Sequence, residues 1–326
     1  MTEAVLVAGG AGFIGAQTCK ALHKAGYLPV TLDSLVTGYK SAVKWGPLIH
    51  ADLRDRAAVL NAIKTYDIKS AIHFAAFSLV GESTREPAKY YDNNVGAALA
   101  FTEALIEGGV DALVFSSTAA AYGTPQTSPI PETHPLLPIN PYGASKVAFE
   151  QALHWMSGAH PLQYTILRYF NAAGADPDGE IGESHVPETH LIPLICQAAL
   201  GNGKPLTVFG SDYDTKDGTA IRDYIHVVDL ANAHVAAIKR LRAGGDSQVF
   251  NVGTGEGVTV LETLQTAEQV MQRPVPHSFG PRRTGDPIAL VADVGKIRGM
   301  LDWTPEHSDL PNLIRTAMRW QRDKLY

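Results

Sequence analysis

The chain has 326 residues, of which 45% are apolar and 18% charged, with 30 glycines, 20 prolines and a net charge of −6. That balance excludes a fibrous or disordered chain and a single small core; it fits one large α/β unit or a main domain with a smaller lobe. No run of Lys or Arg offers a stripe for tracking phosphates, so nucleic acid is not an expected partner. Cys19 and Cys196 are too few for a disulfide framework and read as small apolar fillers in a reducing compartment. The N-terminus runs into a strand without a basic leader or a long apolar stretch, so neither secretion nor membrane insertion is expected, and the compartment is expected to be the cytoplasm.

In chain order, the first apolar run, Ala4–Ala8, leads into Gly9-Gly10-Ala11-Gly12-Phe13-Ile14-Gly15 and a helical pattern near Ile14–Ala25. Gly9, Gly12 and Gly15 are spaced G-x-x-G-x-x-G between strand and helix. Glycine there permits a tight turn, close approach of backbone to a pyrophosphate and close helix–strand packing, while the helix N-terminus offers free N–H groups. A glycine cluster alone is weak, since turns collect glycine for steric reasons. The context strengthens it: the next strand, Leu28–Leu32, is followed by Asp33, placed to accept from an adenosine ribose. Asp33 would repel a 2′-phosphate, and Ser34 and Leu35 bring no positive charge, so NAD is expected rather than NADP. A third strand, Pro47–Ala51, ends at Asp52 and Leu53, where an adenine edge could sit; a helix N-cap in Asp52-Leu53-Arg54-Asp55 is the equal alternative.

Helices near Arg56–Tyr66, Pro87–Glu107 and Tyr142–Ser157 alternate with strands Ala71–Phe74, Leu113–Ser116 and Tyr164–Leu167. This βαβ rhythm predicts a parallel sheet buried on both faces, and Val5-Leu6-Val7 and Leu113-Val114-Phe115 are continuous apolar runs accordingly. Tyr142-Gly143-Ala144-Ser145-Lys146 sets a phenol and an ammonium four apart on one helix face, after Pro141 in the first turn. A phenol of pKa near 10 is a poor base at neutrality. An ammonium about 4 Å away at an effective dielectric near 20 contributes roughly 4 kcal/mol, about three pKa units. A Tyr-x-x-x-Lys pair arises readily by accident and equally describes a surface helix with a stacked pair. Its position after the apolar strand that leads to Ser116-Ser117-Thr118 favours a catalytic reading, with Thr118 placed to bond both a substrate hydroxyl and Tyr142.

Beyond Ala172 the texture changes: polar loops at Gly174–His190 and Gly210–Thr219 flank a helix at Leu191–Leu200 and a strand at Leu206–Phe209. Ile225–Ile238 reads as a strand end plus helix, and Val249–Val252 as a strand that could rejoin the first sheet. The tail mixes a helix, a Pro/Arg-rich loop and a Trp-bearing last helix. Expected, therefore, is a Rossmann-type doubly wound parallel sheet, 1–172 plus 224–253, interleaved with a smaller α/β substrate lobe, 173–223 plus 254–326. Asp212, Asp214 and Asp217 resemble the start of a calcium loop, but the spacing departs and Asp223 stands where a bidentate Glu belongs. The histidines, His185 and His190 included, form no convincing ligand triad, so no metal is expected.

The motifs Gly9–Gly15, His73-Phe74-Ala75-Ala76, Tyr90-Tyr91-Asp92-Asn93-Asn94-Val95, Ser116–Gly123, Tyr142–Lys146, Arg168-Tyr169-Phe170-Asn171 and Arg222-Asp223-Tyr224-Ile225-His226 stand in one order along nearly the whole chain. That order resembles the UDP-glucose 4-epimerases, enzymes of the extended short-chain dehydrogenase/reductase type. The resemblance implies that Phe13, Ile14, Asp33, Ser34, Asp52, Leu53, Phe74, Ala75, Ala76, Asn93, Ser116, Lys146 and Phe170 line NAD. It further implies that Asn171, Leu191, Arg222, Arg283 and Asp286 hold a UDP-sugar, together with Thr118 and Tyr142. Two arginines suit a diphosphate through bidentate bonds, although either alone would more often be a solvated charge. The implied reaction is a transient oxidation at C4, with Tyr142 taking the hydroxyl proton and NAD⁺ the hydride, followed by rotation of the 4-keto sugar and reduction on its other face.

Three departures bear on the substrate. Ser78 stands where many bacterial members have Lys, His190 precedes Leu191 where Asn is common, and Ala76-Phe77-Ser78 is similar to relatives acting on UDP-xylose and UDP-arabinose. Leu290 matches a position at which a smaller residue admits N-acetylated sugars. The rival readings are a UDP-pentose epimerase, a 4,6-dehydratase and a non-catalytic NAD-binding regulator. Dehydration needs proton-transferring residues after Thr118, and Ala119 and Ala120 occupy those positions. The resemblance also implies a homodimer through the helices near Pro87–Glu107 and Tyr142–Ser157.

Overall fold

A computed structural model describes residues 2–283 and 286–326. Seven parallel strands form the main sheet: β1 Ala4–Ala8, β2 Leu28–Asp33, β3 Leu48–His50, β4 Ser70–His73, β5 Ala112–Thr118, β6 Gln163–Tyr169 and β11 Gln248–Val252, in the order β11-β6-β5-β4-β1-β2-β3. The apolar runs form central strands because successive side chains enter opposite cores. Val5 and Val7 of β1 face one cluster, with Leu22 of helix α1 (Phe13–Lys24) and Leu230 of α8 (Val227–Arg242); Leu6 faces the other. That second cluster is closed by Ile63 of α2 (Arg56–Tyr66), Phe101 of α5 (Ala98–Glu107) and Phe149 of α6 (Pro141–Ala159). Each such buried aliphatic or aromatic side chain contributes about 1.5–3 kcal/mol.

Between β4 and β5 lie α3 (Val80–Arg85) and α4 (Pro87–Tyr91), and the predicted long helix is not uniform. Asp92–Ala97 forms a π-helical turn between α4 and α5, carrying Asn93 and Asn94. The turn is a short stretch of polar and small residues in which a shift of helical phase has no apolar stripe to displace, so sequence reads one continuous helix; such turns gather at functional sites.

The remaining elements are β7 (Asn171–Ala173), α7 (Leu191–Leu200), β8 (Leu206–Phe209), β9 (Ile221–Arg222), β10 (Tyr224–His226), β12 (Val258–Thr259), α9 (Val260–Met271), β13 (His277–Gly280), β14 (Ala289–Leu290), α10 (Gly295–Leu301) and α11 (Leu310–Arg322). Helices α7, α9 and α11 enclose Ile195, Val208, Leu264 and Ile314, a core separate from the main sheet. The pairs β7–β10 and β8–β13 are parallel, while β9 pairs with β12 antiparallel and with β14 parallel. Residues Ala292, Ile297 and Trp303 return to pack against the main-sheet core.

Candidate active site

The chain leaves β1 towards β2 on one side and β4 towards β5 on the other, so a crevice opens at the carboxyl ends of β1 and β4. Gly9 stands there with φ +82°, and a Cβ on it would lie 2.6 Å from the Ala75 nitrogen; the loops after β1 and β4 meet backbone to backbone. Gly12 is the N-cap of α1 with no side-chain cap and no acid in the first turn, among the described residues. The N–H groups at that helix start therefore fit a pyrophosphate.

Asp33 ends β2 buried, its Oδ2 accepting from Ala11 N at 2.9 Å and its Oδ1 from Leu35 N at 2.8 Å. The acid proposed for ribose thus also braces the glycine turn. The Ser34 carbonyl lies 3.2 Å from His50 Nε2. Asp52 accepts from Arg54 N at 2.9 Å, and Leu53 is buried; the N-cap of α2 is Asp55, not Asp52. Phe74 packs on His234 with ring centroids 4.6 Å apart. Asn94, in the π turn, accepts from Phe77 N at 2.9 Å and from Asn93 Nδ2 at 3.0 Å, and donates to Ser145 Oγ at 3.1 Å. It joins the loop beyond Ala76 to helix α6. Asn94 lies in the motif Tyr90–Val95, and nothing in that polar stretch sets it apart from Asn93; its role follows from the packing of the π turn against the Phe77 loop and α6.

On the other side of the crevice, β5 brings Ser116 and Thr118 to its end. Lys146 is buried; its Nζ donates to the Ser116 carbonyl at 2.8 Å and lies 4.9 Å from the Phe115 ring centroid. Ser116 Oγ bonds the Tyr169 hydroxyl. Next to it, Ser117 Oγ donates to Glu150 at 2.5 Å, and Glu150 pairs with Arg168 at 2.5 Å, both charges almost fully buried. Helix α6 begins at Pro141, with Asn140 accepting from Gly143 N at 2.8 Å. A Cβ on Gly143 would lie 2.6 Å from the Ala120 carbonyl oxygen. Glycine lets the first turn of α6 rest on the backbone that follows Thr118, setting Tyr142 beside that hydroxyl.

Burial pushes the Tyr142 phenol above its ordinary value, opposed by the Thr118 hydroxyl. Burial also depresses Lys146 to about 7, with Glu150 opposing. The ammonium, with the nicotinium charge of NAD⁺ added to it, is expected to acidify the phenol; in the protein alone burial outweighs the Thr118 hydrogen bond for Tyr142 and the Glu150 attraction for Lys146.

The predicted nucleotide residues lie beyond β6. Phe170 is buried, and Asn171 donates from N and Nδ2 to the Asp223 carbonyl, each at 3.0 Å. Arg222 donates from Nη1 to the Ile221 and Pro287 carbonyls at 2.7 and 3.0 Å and pairs through Nη2 with Asp286. Arg283 lies over the Phe209 ring at 4.0 Å, its carbonyl accepting from Asp286 N at 3.2 Å. Asn171, Arg222, Arg283 and Asp286 are thus linked, whereas Leu191 opens α7 and packs into the lobe's apolar core. Asp223, between them, is buried and accepts from Thr254 N and Oγ1, Gly255 N and Ala292 N. Burial raises its pKa, those donors opposing. Asp212 pairs with Arg282, and Asp217 accepts from Thr219 and Thr259.

Residues 5–253 match the NAD dependent epimerase/dehydratase family. A UDP-glucose 4-epimerase of Lacticaseibacillus casei is 48% identical over 324 residues, covering 99% of this chain and 97% of the relative. The structure of a UDP-glucose 4-epimerase from Brucella ovis in complex with NAD superposes with a TM-score of 0.95 at 47% identity, covering 97% of this chain and 98% of that one. That of the Stenotrophomonas maltophila enzyme, with bound NAD and formylated UDP-arabinopyranose, gives 0.96 at 39% identity over 98% of each chain.

Proposed function

The chain belongs to the NAD dependent epimerase/dehydratase family, and from that premise we infer that its crevice inverts C4 of a UDP-sugar, UDP-glucose and UDP-galactose being the pair and NAD the cofactor. One observation carries the reading at the level of the site: Thr118, Tyr142 and Lys146 converge at the end of β5 by way of Gly143 and the Ser116 carbonyl. Bound NAD⁺ supplies a reversible oxidation at C4 and a positive charge beside the phenol. Tyr142 moves the proton to and from the C4 oxygen, Thr118 bonds that oxygen and the phenol, and Lys146 holds the nicotinamide ribose. Gly9, Gly12, Phe13, Ile14, Gly15, Asp33, Ser34, Asp52, Leu53, Phe74, Ala75, Ala76, Asn93, Ser116 and Phe170 line the cofactor in this proposal.

Inversion needs the sugar to present both faces, so the nucleotide must be gripped and the sugar left free to turn. Asn171, Leu191, Arg222, Arg283 and Asp286 form the grip. Ala119 and Ala120 cannot transfer protons, which favours epimerisation over dehydration. A second reading, a UDP-arabinose/UDP-xylose epimerase, draws on Ala76-Phe77-Ser78 and on the pentose ligand of the Stenotrophomonas relative.

No helix among the described residues is long and apolar enough to cross a membrane. We propose a cytoplasmic homodimer joined through α4, α5 and α6; Trp155 on α6, 75% exposed, suits such an interface. The proposed NAD domain, 1–172 plus 224–253, rests on β11 beside β6. The proposed UDP-sugar lobe, 173–223 plus 254–326, rests on the core between α7, α9 and α11. Purified protein supplied with UDP-galactose, UDP-N-acetylgalactosamine and UDP-arabinose in turn is expected to convert UDP-galactose fastest. Leu290 narrows the space for an N-acetyl group. A protein that leaves all three unchanged with NAD present ends this reading.

A further inference from the structure

The loop between β7 and α7 holds four side chains to which the proposed reaction gives no role, the last of them, His190, directly before Leu191. Glu183, His185, Glu188 and His190 each turn one ligand-type atom inward, and these atoms all lie within 4.8 Å of one another. Glu183 Oε1 stands 2.5 Å from His190 Nδ1 and 3.1 Å from His185 Nδ1, and Glu188 Oε1 stands 3.5 and 3.9 Å from the same two nitrogens. A tetrahedral ion with bonds of about 2.0–2.2 Å sets neighbouring donor atoms roughly 3.3–3.6 Å apart, within the span of these distances.

A second observation points to a ligand. Both glutamate side chains are only 5% exposed, and Glu183 Oε2 and Glu188 Oε2 are buried without a hydrogen-bond partner. Buried acceptors left unpaired are costly, and a cation is what this donor-poor set lacks. The same loop supplies a contrast. Asp176, Asp178 and Glu180 also cluster, but Lys20 Nζ sits among them at 2.7–2.8 Å and supplies their positive charge. Among the described residues no Lys or Arg forms an ion pair with Glu183 or Glu188; the two histidines face them, and Glu188 Oε1 also accepts from Thr189 N and His190 N at 2.8 and 2.9 Å.

We propose that Glu183, His185, Glu188 and His190 bind one zinc-class divalent cation. Two imidazoles with two carboxylates suit zinc, whereas magnesium and calcium favour all-oxygen sets. Four protein ligands leave no open position, so the ion is structural. It fastens the loop to the start of α7, whose N-cap is His190, and to α11, since Trp320 Nε1 donates to the Glu183 carbonyl at 2.9 Å. The expectation that no metal binds weighs the histidines and the Asp212–Asp217 loop separately; the fold brings Glu183 and Glu188 to His185 and His190.

Tag-free protein, with NAD retained, is dialysed against a chelator and then offered zinc, cobalt or magnesium chloride. One zinc bound per chain by elemental mass spectrometry, a tetrahedral cobalt absorption band and a melting temperature raised by zinc but not by magnesium are the expected results. His185→Ala and the near-isosteric Glu188→Gln should each weaken zinc binding at least about a hundredfold and abolish the shift. Glu188→Gln serves if the alanine variant does not fold. Protein that neither takes up cobalt nor responds to zinc overturns the proposal, as does bound zinc that survives both substitutions.

Discussion

The two sides of the crevice hold their functional groups by different means. At the end of β5 the backbone does the positioning: Thr118 closes a seven-residue strand, Lys146 bonds a main-chain carbonyl, and Gly143 presses α6 onto the chain behind Thr118. In the second lobe side-chain partners take a larger part, although two main-chain carbonyls also accept from Arg222. Arg222 depends on Asp286, Arg283 lies on Phe209, and both arginines stand on a two-residue strand or a loop. Proton transfer tolerates little displacement, while a diphosphate can be gripped by several donors that share the error. Damage on the first side should therefore appear in kcat and on the second in KM.

The largest effect expected is that of Tyr142→Phe, a loss of about a thousandfold or more in kcat with NAD content unchanged. A variant within tenfold of the parent would remove Tyr142 from the chemistry. Gly143→Ala tests the backbone directly, because the added Cβ meets a main-chain oxygen, not a movable side chain. It should cost about a hundredfold in kcat with the fold kept, as judged by circular dichroism. A loss confined to KM would contradict a backbone-positioned site for proton transfer. Arg222→Leu should do the opposite, raising KM for the UDP-sugar about ten- to thirtyfold with a smaller change in kcat.

The same contrast governs how much could be read from sequence. Strand β1, helix α2, helix α7 and strand β8 begin and end where apolar periodicity places them, because long runs must bury a face. The two- and three-residue strands β7, β9, β12 and β14 are too short for any period and follow from partners distant in the chain. Gly143 was legible only as a spacer between Tyr and Lys; its use depends on Ala120, across the turn from β5. The Arg222–Asp286 pair spans 64 positions, and nothing local in either segment announces it.

Lys146 supplies the sharpest separation of stability from function. Burial lowers its pKa from 10.5 in the unfolded chain to about 7 in the folded one. Below pH 7 both states hold the proton and the full cost of the buried ammonium is present. Between about 7 and 10.5 the unfolded chain binds a proton that the folded chain has released, so stability rises with pH, by at most about 1.4 kcal/mol per unit. In cofactor-stripped protein, Lys146→Met should therefore be the more stable chain at about pH 6, and its advantage should shrink towards about pH 9. Urea midpoints of both chains across that range check the sign. An advantage that stays constant or grows with pH would mean that Lys146 is not held charged at a cost, and that its bond to the Ser116 carbonyl stabilises the site instead of straining it.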